Sequence, residues 1–493
     1  MAILGIDLGT TTTVVALLNE VGKPQILMNW ENMPFTYSSI EFTDDEAGAP
    51  IIGQDDQARN EVNPLSFREY KRHMGTDHAY QVGSRRYSAA DFSALMLRRQ
   101  REHILNELSN IERLVITTPA NFGQKARQDT LAAAAAAGLP VPELIDEPTA
   151  AALFYIESAT VPLDGLCVVF DFGGGTLDVS LVEVRGRQVK VKGSKGVAKL
   201  GGMDLDSALL ALLFRKFEQE HGTLRQGDSD LNEYLARNTK HRLTESDRAS
   251  VVIFSTQYGR RKIEVARLEF EEVARPFIAK ALDCCSQLLA EAGVRAAQVQ
   301  HVFLAGGSSL VPVVRSSVEA LFNRKPECRQ PHQAIALGAV VYAAALIARD
   351  APEVLTPTQR DAIQPLRVQD VSPKCLGMLV TGIDGREVNE LLVSKNQPIP
   401  CSVSRQFGVA IDGQRRVEFA LTQGEEPTSD PMKVEVVTTA YLDLPRGAKA
   451  GQRVEVHFSY DVGGLIVAKF TDLTSGNIVE CQLEGRDVSV DGN

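Results

Sequence analysis

The sequence predicts an α/β fold with two lobes, followed by an antiparallel β-sandwich, and three observations support that prediction. A phosphate-loop pattern occurs twice, once in residues 3–15 and once in residues 168–179. Strand-like and helix-like patterns alternate from residue 1 to about residue 348, as they do in α/β domains. Beyond residue 369 the helical period gives way to alternating strands separated by turn signals, which is typical of a β-sandwich.

Each copy of the phosphate-loop pattern is an apolar strand, an Asp-X-Gly turn of small residues and a second apolar strand. The copies read ILGIDLGTTTTVV from residue 3 and VVFDFGGGTLDV from residue 168. Such a turn lets backbone N–H groups close on a phosphate, because glycine lacks a Cβ and threonine offers a hydroxyl. The aspartates that end the first strands, Asp7 and Asp171, are placed to orient Mg²⁺ or its waters. One copy alone is more simply an ordinary turn, but two copies facing each other would hold a polyphosphate from both sides, which predicts a nucleotide clamp.

Composition limits the class of protein. The chain has 493 residues, of which 44% are hydrophobic, enough for roughly three domains by the ~150-residue prior and for a sizeable core. The net charge of −11 argues against a general nucleic-acid binder. The seven cysteines form no CxxC pair and no His/Cys cluster, so the sequence indicates neither a disulfide framework nor a zinc site. Free thiols fit a reducing cytosol, so we expect a cytoplasmic location.

No membrane partner is expected from the sequence. The N-terminus runs directly into a strand, without the basic region or cleavage site of a signal peptide. The longest uncharged apolar stretch, residues 334–348, is shorter than the ~20 residues needed to span a bilayer. We predict that this stretch is a buried core helix.

Individual elements within residues 1–348 follow from their local patterns. A short apolar run at 114–117 ends before Pro119, and a run at 302–304 leads into glycines, so both are predicted strands. An alanine-rich stretch at 124–137, stopped by Gly138, predicts a helix. Helical spacing also predicts helices at 205–221, 270–292 and 311–322.

The chain changes character after residue 348. Residues 349–369 are predicted to be a linker, because Pro352, Pro357 and Pro365 fall among charged and polar residues. Further along, the runs at 417–421 and 454–458 alternate as strands do. We therefore predict a nucleotide-binding domain at 1–348, a linker at 349–369 and a β-sandwich at 370–493.

Three further segments complete the expected nucleotide site. Glu147 begins a helix with proline in its first turn, in the segment EPTAAAL. Gly306-Gly307-Ser308 stands at a strand-to-helix junction, where the backbone can approach a ligand, and Lys71 lies between the first loop and the first helices. Taken alone, Glu147 could be a helix-start acid favoured by the macrodipole and Lys71 a solvated surface lysine. In this chain order, however, the segments are similar to the parts of the actin-like ATPase fold, whose two lobes are duplicated ribonuclease-H-like units.

Within that superfamily, the chain resembles the DnaK-type heat-shock chaperones. The resemblance lies in DLGTT from residue 7, DEPTAAAL from 146, DFGGGTLD from 171, LGGMD from 200 and GGS from 306, and it continues through the sandwich. It implies ATP or ADP and Mg²⁺ as cofactors, and ATP hydrolysis that modulates the binding of unfolded or apolar peptide segments. It also implies a J-domain co-chaperone and a nucleotide exchange factor as possible partners.

The same resemblance implies a role for each site residue. Asp7 and Asp171 would hold a hydrated Mg²⁺, mainly through water, and Lys71 would steady the γ-phosphate and the attacking water. Glu147 and Asp178 would orient water and metal, which completes the catalytic set. Phosphoryl transfer needs mainly positioning and charge stabilisation, so such groups suffice. The implied nucleotide-binding residues are Gly9, Thr10, Thr11, Thr12, Gly173, Gly174, Gly175, Thr176, Gly201, Gly202, Lys240, His241, Thr244, Gly306, Gly307 and Ser308.

The C-terminal half resembles the peptide-binding sandwich of this family. The matching segments are DVSP from residue 370, NQPIP from 396 and QGE from 423. The resemblance implies an apolar peptide pocket and an arch over the peptide, formed respectively by Met378, Val380, Val417 and Phe419, and by Thr381 and Ala410. For Val417 and Phe419, ordinary sandwich core is an equally open interpretation.

The elements that couple the two halves depart from the family pattern. No helical lid is expected after the sandwich. The segment LRVQD from residue 366 alternates instead of forming a continuous aliphatic run, so we expect it to dock weakly onto the ATPase domain. Glu143 stands where the family often has an arginine that serves J-domain coupling, so we also expect weak dependence on a J-domain protein.

The adenosine end departs from the family pattern as well. Lys240 and Thr244 fit a ribose-contacting lysine and hydroxyl. Arg237 stands where the family usually has a glutamate, and Leu310 replaces the arginine that commonly stacks on adenine. His241 is available to stack instead, although an isolated histidine is more often an ordinary surface residue.

Two other functions share some of these motifs. A small-molecule kinase of the same superfamily would need a polar sugar or acid pocket, and the EPTAAAL segment and the sandwich argue against it. A non-catalytic, nucleotide-sensing binding module is disfavoured by the intact set of Asp7, Lys71, Glu147 and Asp171.

Overall fold

The computed structural model describes residues 2–43, 49–54, 63–108, 110–224, 227–364, 366–382, 385–461 and 463–482. Within them it is a mixed α/β structure with several sheets. Pro365, part of the predicted linker, and residues 483–493, the end of the predicted sandwich, lie outside the described ranges.

Residues 2–157 form the first sheet and the elements around it. The strands are β1 (Ala2–Leu8), β2 (Thr12–Leu18), β3 (Pro24–Leu27), β4 (Thr36–Tyr37), β5 (Ile40–Glu41), β6 (Ile51–Ile52), β7 (Ser66–Phe67), β8 (Ala79–Val82), β9 (Arg85–Ser88), β10 (Ile111–Thr118) and β11 (Glu143–Asp146), and the helices are α1 (Ala89–Glu107), α2 (Gln124–Ala136) and α3 (Glu147–Glu157). A 3-10 turn covers Tyr70–His73. The first sheet has the order β11-β10-β1-β2-β3, with β10 parallel to β1 and with β1, β2 and β3 antiparallel to one another in turn.

Residues 164–350 form the second sheet and its helices. The elements are β12 (Asp164–Phe172), β13 (Leu177–Arg185), β14 (Gln188–Val197), α4 (Gly202–His221), α5 (Glu233–Glu245), β15 (Arg248–Ser255), β16 (Gly259–Ala266), α6 (Arg267–Glu291), β17 (His301–Ala305), α7 (Pro312–Phe322) and α8 (Ala334–Asp350). The second sheet begins with the order β17-β12-β13-β14, in which β17 is parallel to β12 and the following pairs are antiparallel. This is the order of β10-β1-β2-β3, so the repeated sequence pattern occupies the same place in two sheets of like topology.

Helices α3 and α8 pack against each other between the two sheets. Helix α8 contacts β1, β2 and β10, whereas α3 contacts β12, β13 and β17. The helices come so close that a Cβ on Gly338 would collide with the carbonyl oxygen of Ala150. The prediction that residues 334–348 form a core helix is confirmed, and none of the described helices is long and apolar enough to cross a membrane.

The other predicted helices and strands of this part are also confirmed, with small shifts at their ends. Helices α4 and α6 each begin about one turn earlier than their apolar spacing predicted. In each case a carboxylate in the first turn accepts the N–H of the residue before the helix, Asp204 from Gly201 at 2.7 Å and Glu269 from Ala266 at 2.7 Å. Such capping satisfies N–H groups that apolar periodicity does not register.

The segment predicted to be a linker is largely regular structure. It contains the end of α8, a 3-10 turn at Pro352–Val354, helix α9 (Pro357–Ala362) and the start of β18 (Arg367–Val371). Strand β18 runs parallel to β14, with Val368 opposite Val189, and so extends the second sheet. We expected this alternating segment to dock weakly; the structure shows it paired with β14, and the strength of that docking stays a prediction. Alternation is the pattern of a strand with one buried face, and Leu366 and Val368 pack against the core beside α8 while Arg367 is exposed.

The predicted antiparallel sandwich is present in residues 375–482 as far as they are described. Its strands, together with β21, which pairs with β18, are β19 (Cys375–Thr381), β20 (Glu387–Val393), β21 (Pro398–Ile399), β22 (Cys401–Gly408), β23 (Arg416–Gly424), β24 (Glu435–Asp443), β25 (Arg453–Tyr460), β26 (Ile466–Asp472) and β27 (Ile478–Gln482). Two four-stranded sheets, β20-β19-β23-β24 and β22-β25-β26-β27, enclose one apolar core. Phe419 and Phe470 stack in it with ring centroids 4.2 Å apart.

The sandwich is docked on the N-terminus of α2. The Gln124 side chain, buried at this contact, donates to the Tyr460 hydroxyl at 3.2 Å and to the Gly464 carbonyl at 2.5 Å. Its amide oxygen accepts the N–H of Ile466 at 3.2 Å. One glutamine thereby pairs with three groups of the β25–β26 hairpin.

Candidate nucleotide site

The two phosphate loops are the turns of the β1–β2 and β12–β13 hairpins, and they touch each other. A Cβ on Gly174 would collide with Thr11 Oγ1, and a Cβ on Gly175 would lie 2.5 Å from Thr10 Cγ2. The glycines of the second loop therefore let it pack directly against the threonines of the first. The predicted loops lie face to face, as a clamp on one polyphosphate requires.

The second loop is held from behind by the start of α4 and by the glycine turn after β17. The N–H groups of Gly202 and Met203 donate to the carbonyls of Gly173 and Gly174, both at 2.9 Å, and Ser308 Oγ donates to the Gly173 carbonyl at 2.8 Å. Gly201 packs so closely on this loop that a Cβ there would collide with the Gly174 carbonyl. Gly201 and Gly202, and the segment 306–308, all predicted from sequence to join the site, are thus brought to the same loop.

Gly9 and Gly306 also occupy positions that a side chain could not enter. A Cβ on Gly9 would collide with the Thr12 carbonyl oxygen. Gly306 has a φ of +74°, a left-handed conformation that favours glycine, and it lies against the end of β12 at Phe172. The tight turns on both sides of the site therefore require their glycines.

Four buried carboxylates converge between the loops. Asp7 and Asp171 stand near the ends of β1 and β12, Glu147 is the first residue of α3, and Asp178 lies in β13. Lys71, carried by the 3-10 turn, places its Nζ 2.5 Å from Glu147 Oε1, and both side chains are buried. The structure thus brings together all five residues that were predicted to be catalytic.

The electrostatics of this cluster follow from burial and repulsion. Burial, and then the charge of Glu147, raise the pKa of Asp7 to about 7 and that of Asp178 to about 8. The same two causes raise the pKa of Asp171 well above its usual range, while Lys71 acts in the opposite direction on all three carboxyls. When these carboxyls are ionised, four negative charges face one ammonium, and a divalent cation bound there would offset the excess and favour the ionised forms.

The donor set fits a hydrated Mg²⁺ beside phosphates. Thr11 Oγ1 and Asp171 Oδ1 are buried and, within the described part of the chain, have no hydrogen-bond partner. The described residues contain no group of three or more His, Cys, Asp or Glu side chains placed to hold a metal directly. Since Mg²⁺ keeps several waters and takes few carboxylates together with substrate phosphates, this arrangement suits it.

The residues expected to contact the ribose and base lie on α5. Of these, only Lys240 contacts the start of α4, which supports the second phosphate loop. The buried Lys240 ammonium lies 2.8 Å from Asp206 Oδ1 and donates to the Gly202 carbonyl at 2.9 Å. Thr244 Oγ1 donates to the Lys240 carbonyl at 3.0 Å, inside the helix, and His241 is exposed. Their contact with a nucleoside stays a prediction.

Two residues that contact the site were not singled out by sequence reasoning. Thr117, in β10, donates its hydroxyl to Asp7 Oδ1 at 3.1 Å. The Arg72 guanidinium donates to the Gly175 carbonyl of the second loop, at 2.8 Å through Nη2. Thr117 ends a predicted strand and Arg72 follows Lys71, but neither local pattern reveals a partner so distant in sequence.

The six residues predicted to bind peptide fall into three environments. Met378 and Phe419 are buried in the sandwich core, at 1% and 2% exposure. Val380 and Val417 are half-buried and pack against that core, whereas Thr381 and Ala410 are exposed. Phe419 therefore packs as an ordinary residue of the sandwich core. The residues that offer surface to a ligand are Val380, Thr381, Ala410 and Val417.

The family of the chain follows from comparison with protein-family models. A family model described as Hsp70 protein matches residues 3–86 and 77–491. The chain belongs to the Hsp70 family. The resemblance noted from the sequence is confirmed at this level, and the match includes both phosphate loops, the carboxylate cluster and the sandwich. This makes the chain an Hsp70-type ATPase chaperone at the general level of its family, whose members bind ATP or ADP with Mg²⁺, unfolded peptide segments and co-chaperones.

Proposed function

We propose that this chain is a DnaK-type chaperone that hydrolyses ATP with Mg²⁺ and thereby modulates its binding of unfolded or apolar peptide segments. The observation that carries the proposal is the buried Lys71–Glu147 pair among three aspartates, set between two phosphate loops that touch. A lysine, several carboxylates and glycine-rich backbone are what phosphoryl transfer to water requires.

Each group of the site has a task in this proposal. The bound Mg²⁺–ATP would supply the phosphoryl group and a divalent charge beside Asp7 and Asp171, which would hold the hydrated ion. The backbone N–H groups and hydroxyls of residues 9–12 and 173–176 would bind the phosphates. Lys71 would steady the γ-phosphate and the attacking water, and Glu147 and Asp178 would orient that water.

The contacts between the ATPase part and the sandwich support communication between them. Arg127 pairs with Asp146 at 2.6 Å and donates to the Gly463 carbonyl of the sandwich at 3.1 Å. Thr149, in the first turn of α3, donates to the half-buried Asp370 of β18 at 3.3 Å. Because Glu147 begins the same helix, a change at the carboxylate cluster has a short path to the strand that leads into the sandwich.

We place peptide binding on the surface around Val380, Thr381, Ala410 and Val417, with Met378 and Phe419 as the apolar layer beneath. This arrangement uses the half-buried valines as contacts and the exposed pair as the arch. If these four residues serve only to pack the sandwich, no peptide will bind to them. A direct measurement of peptide binding distinguishes the two interpretations.

Dependence on a J-domain protein should be weak. Glu143 is engaged by Arg113 at 3.2 Å, and burial raises the pKa of Glu143 despite that partner. The linker strand β18 is paired with β14, so the expectation of weak dependence rests on Glu143. A purified J-domain protein should raise turnover only modestly, and strong stimulation that Asp370→Asn blocks would overturn this part of the proposal. A cytoplasmic location, suggested by the seven free cysteines, completes it.

One assay separates the proposed function from its alternatives. ATP turnover is measured with Mg²⁺ alone, with an unfolded apolar peptide and with a panel of sugars and small acids. We expect slow turnover that the peptide changes and the small molecules do not. Stoichiometric phosphorylation of a small molecule would instead identify a kinase, and nucleotide binding without turnover would identify a sensing module.

A further inference from the structure

The turn that carries Lys71 also carries a second cation, Arg72, whose side chain reaches the opposite sheet. Lys71 pairs with Glu147, the first residue of α3, whereas Arg72 contacts the loop between β12 and β13 of the second sheet. Tyr70 anchors this turn, since it is buried in the core of the first sheet and packs on Phe92 with centroids 5.7 Å apart. The turn therefore sends its two cations to different elements of the site, Lys71 to the start of α3 and Arg72 to the second phosphate loop.

The Arg72 guanidinium holds the Gly175 carbonyl with two donors. Nε lies 3.2 Å and Nη2 lies 2.8 Å from this oxygen. Nη1 pairs with Glu69 at 3.0 Å, and Nη2 also lies 3.4 Å from Asp204 Oδ2. The Arg72 side chain is only 12% exposed, so the two carboxylates compensate a largely buried charge.

Asp204 links this contact to the support of the same loop. Its Oδ2 also accepts the N–H of Gly201 at 2.7 Å, just before α4. The next residue, Gly202, donates its N–H to the Gly173 carbonyl at 2.9 Å. Arg72 and the start of α4 thus grip the second phosphate loop together, from two elements that are distant in sequence.

A fixed Gly175 carbonyl fixes the peptide unit that follows it. The peptide bond is planar and trans, so the carbonyl of Gly175 and the N–H of Thr176 point in opposite directions. Holding the oxygen on the Arg72 side directs the Thr176 N–H away from Arg72. In a glycine-rich turn such as residues 173–175, the backbone by itself would leave this orientation free.

We infer that Arg72 is a positioning residue for nucleotide binding: by holding the Gly175 carbonyl, it fixes the peptide unit that presents the Thr176 N–H to the phosphates. The inference rests on the proposed function of the two loops. Lysine cannot replace arginine here, because one ammonium cannot give two donors to the carbonyl and still face both Glu69 and Asp204. Since ADP and ATP both carry phosphates for this loop, the effect falls on their binding more than on the chemical step.

The test compares Arg72→Lys with Arg99→Lys, a control on α1 whose guanidinium lies over Trp30. Fluorescent ADP is titrated and steady-state ATP turnover is measured. We expect Arg72→Lys to raise the Kd for ADP and the KM for ATP by ~10- to 100-fold, the order for a lost charge-assisted hydrogen bond, with kcat within about threefold of the parent. A KM rise without a kcat loss distinguishes positioning from general damage, which would lower both activity and the thermal midpoint.

A second variant checks the link through Asp204. Asp204→Asn keeps an acceptor for the Gly201 N–H but removes the charge that faces Arg72. We expect it to weaken ADP binding less than Arg72→Lys does, and we expect the double variant to bind ADP no more weakly than Arg72→Lys alone. Unchanged ADP binding by Arg72→Lys, or fully additive losses in the double variant, would overturn the inference while leaving the proposed function intact. Absence of ADP binding by the parent protein would instead remove the proposed function, and the inference with it.

Discussion

Lys71 Nζ lies 2.5 Å from Glu147 Oε1, and both side chains are buried. This pair joins the 3-10 turn after β7 to the first residue of α3 across 76 positions of sequence. It also places an ammonium among carboxylates whose mutual repulsion and burial would otherwise be uncompensated. The pair therefore contributes both to the structure of the site and to the charge that ATP hydrolysis would use.

Replacing Lys71 should impair the chemical step more than binding. Lys71→Ala removes an electrostatic stabiliser and should lower kcat by ~10²-fold or more, while ADP still binds. Turnover at saturating ATP and an ADP titration measure the two effects. Lys23→Ala is the matched control, since Lys23 is largely exposed and pairs with Glu157 at 3.0 Å. An unchanged kcat in Lys71→Ala would exclude this lysine from the mechanism.

The same added methyl group should weaken nucleotide binding at Gly173 and lower the stability of the fold at Gly201. Among the described residues, a Cβ on Gly173 would meet only Thr176 O, at an ordinary 3.6 Å, so Gly173→Ala should keep the fold and its thermal midpoint. Its methyl group would nevertheless occupy the loop that is proposed to hold phosphate, so ATP binding should weaken by about tenfold or more. A Cβ on Gly201 would collide with the Gly174 carbonyl, so Gly201→Ala should lower the thermal midpoint itself. Equal melting losses in the two variants would contradict this distinction.

Docking of the sandwich should depend on Gln124. Gln124→Ala leaves Tyr460, Gly464 and Ile466 without their partner at a buried contact, at a cost of about 1–3 kcal/mol for an unpaired group. The undocked population should rise roughly 10- to 100-fold, and tryptic cleavage after Arg367 should accelerate accordingly. Gln128→Ala, in the same helix, is the matched control and should be cleaved like the parent. Equal cleavage of all three proteins would show that this contact does not hold the two parts together.

Docking should also weaken as the pH rises. Burial, and then the Asp146 carboxylate, raise the pKa of Asp370 to about 7, although Arg127 and hydrogen bonds from Val371 and Thr149 act in the opposite direction. Because the docked state holds this proton more tightly than the undocked state, docking is most stable at acid pH. Its stability falls as the pH rises from about 4 to about 7 and levels off above that.

Asp370→Asn tests this dependence, since it removes the titrating proton. The rate of cleavage after Arg367 is measured for the parent and the variant from pH 5.5 to pH 8, and the ratio of the two rates cancels the pH dependence of the protease. We expect the ratio of parent to variant to rise up to about pH 7 and then to stay constant. A ratio that does not change with pH would contradict the assignment.

Two substitutions should separate the loss of peptide binding from the loss of the sandwich fold. Val417→Asp places a charge on a half-buried apolar surface and should abolish binding of a labelled apolar peptide to the full chain. Phe419→Ala instead removes a core ring stacked on Phe470 and should destabilise the sandwich by about 3–5 kcal/mol. Fluorescence anisotropy and thermal melting separate the two effects. Peptide binding by a folded Val417→Asp variant equal to that of the parent would place the site elsewhere.

Local sequence was sufficient for the elements and for most members of the site. The hairpins around residues 9–11 and 173–176 follow from apolar runs that flank glycines, and α2, α4, α6 and α7 follow from apolar spacing and stop signals. These patterns act between neighbours in sequence, through turns and helical hydrogen bonds, so they can be read without a structure. Family resemblance then selected Lys71, Glu147 and the aspartates, which the fold brings together.

Tertiary structure decided what depends on contacts between distant residues. The Arg72–Gly175 bond spans 103 residues and the Gln124–Tyr460 bond spans 336, and neither leaves a periodic trace in the sequence. The same limit applies to β18, because alternation shows that one face of a strand is buried but does not name the strand beside it, which here is β14. Sequence by itself determined which segments fold and which residues are proposed to carry the chemistry. Only the packing of two sheets and a sandwich decided which backbone groups those residues hold, because hydrogen bonds between distant segments form only where the whole chain brings donor and acceptor together.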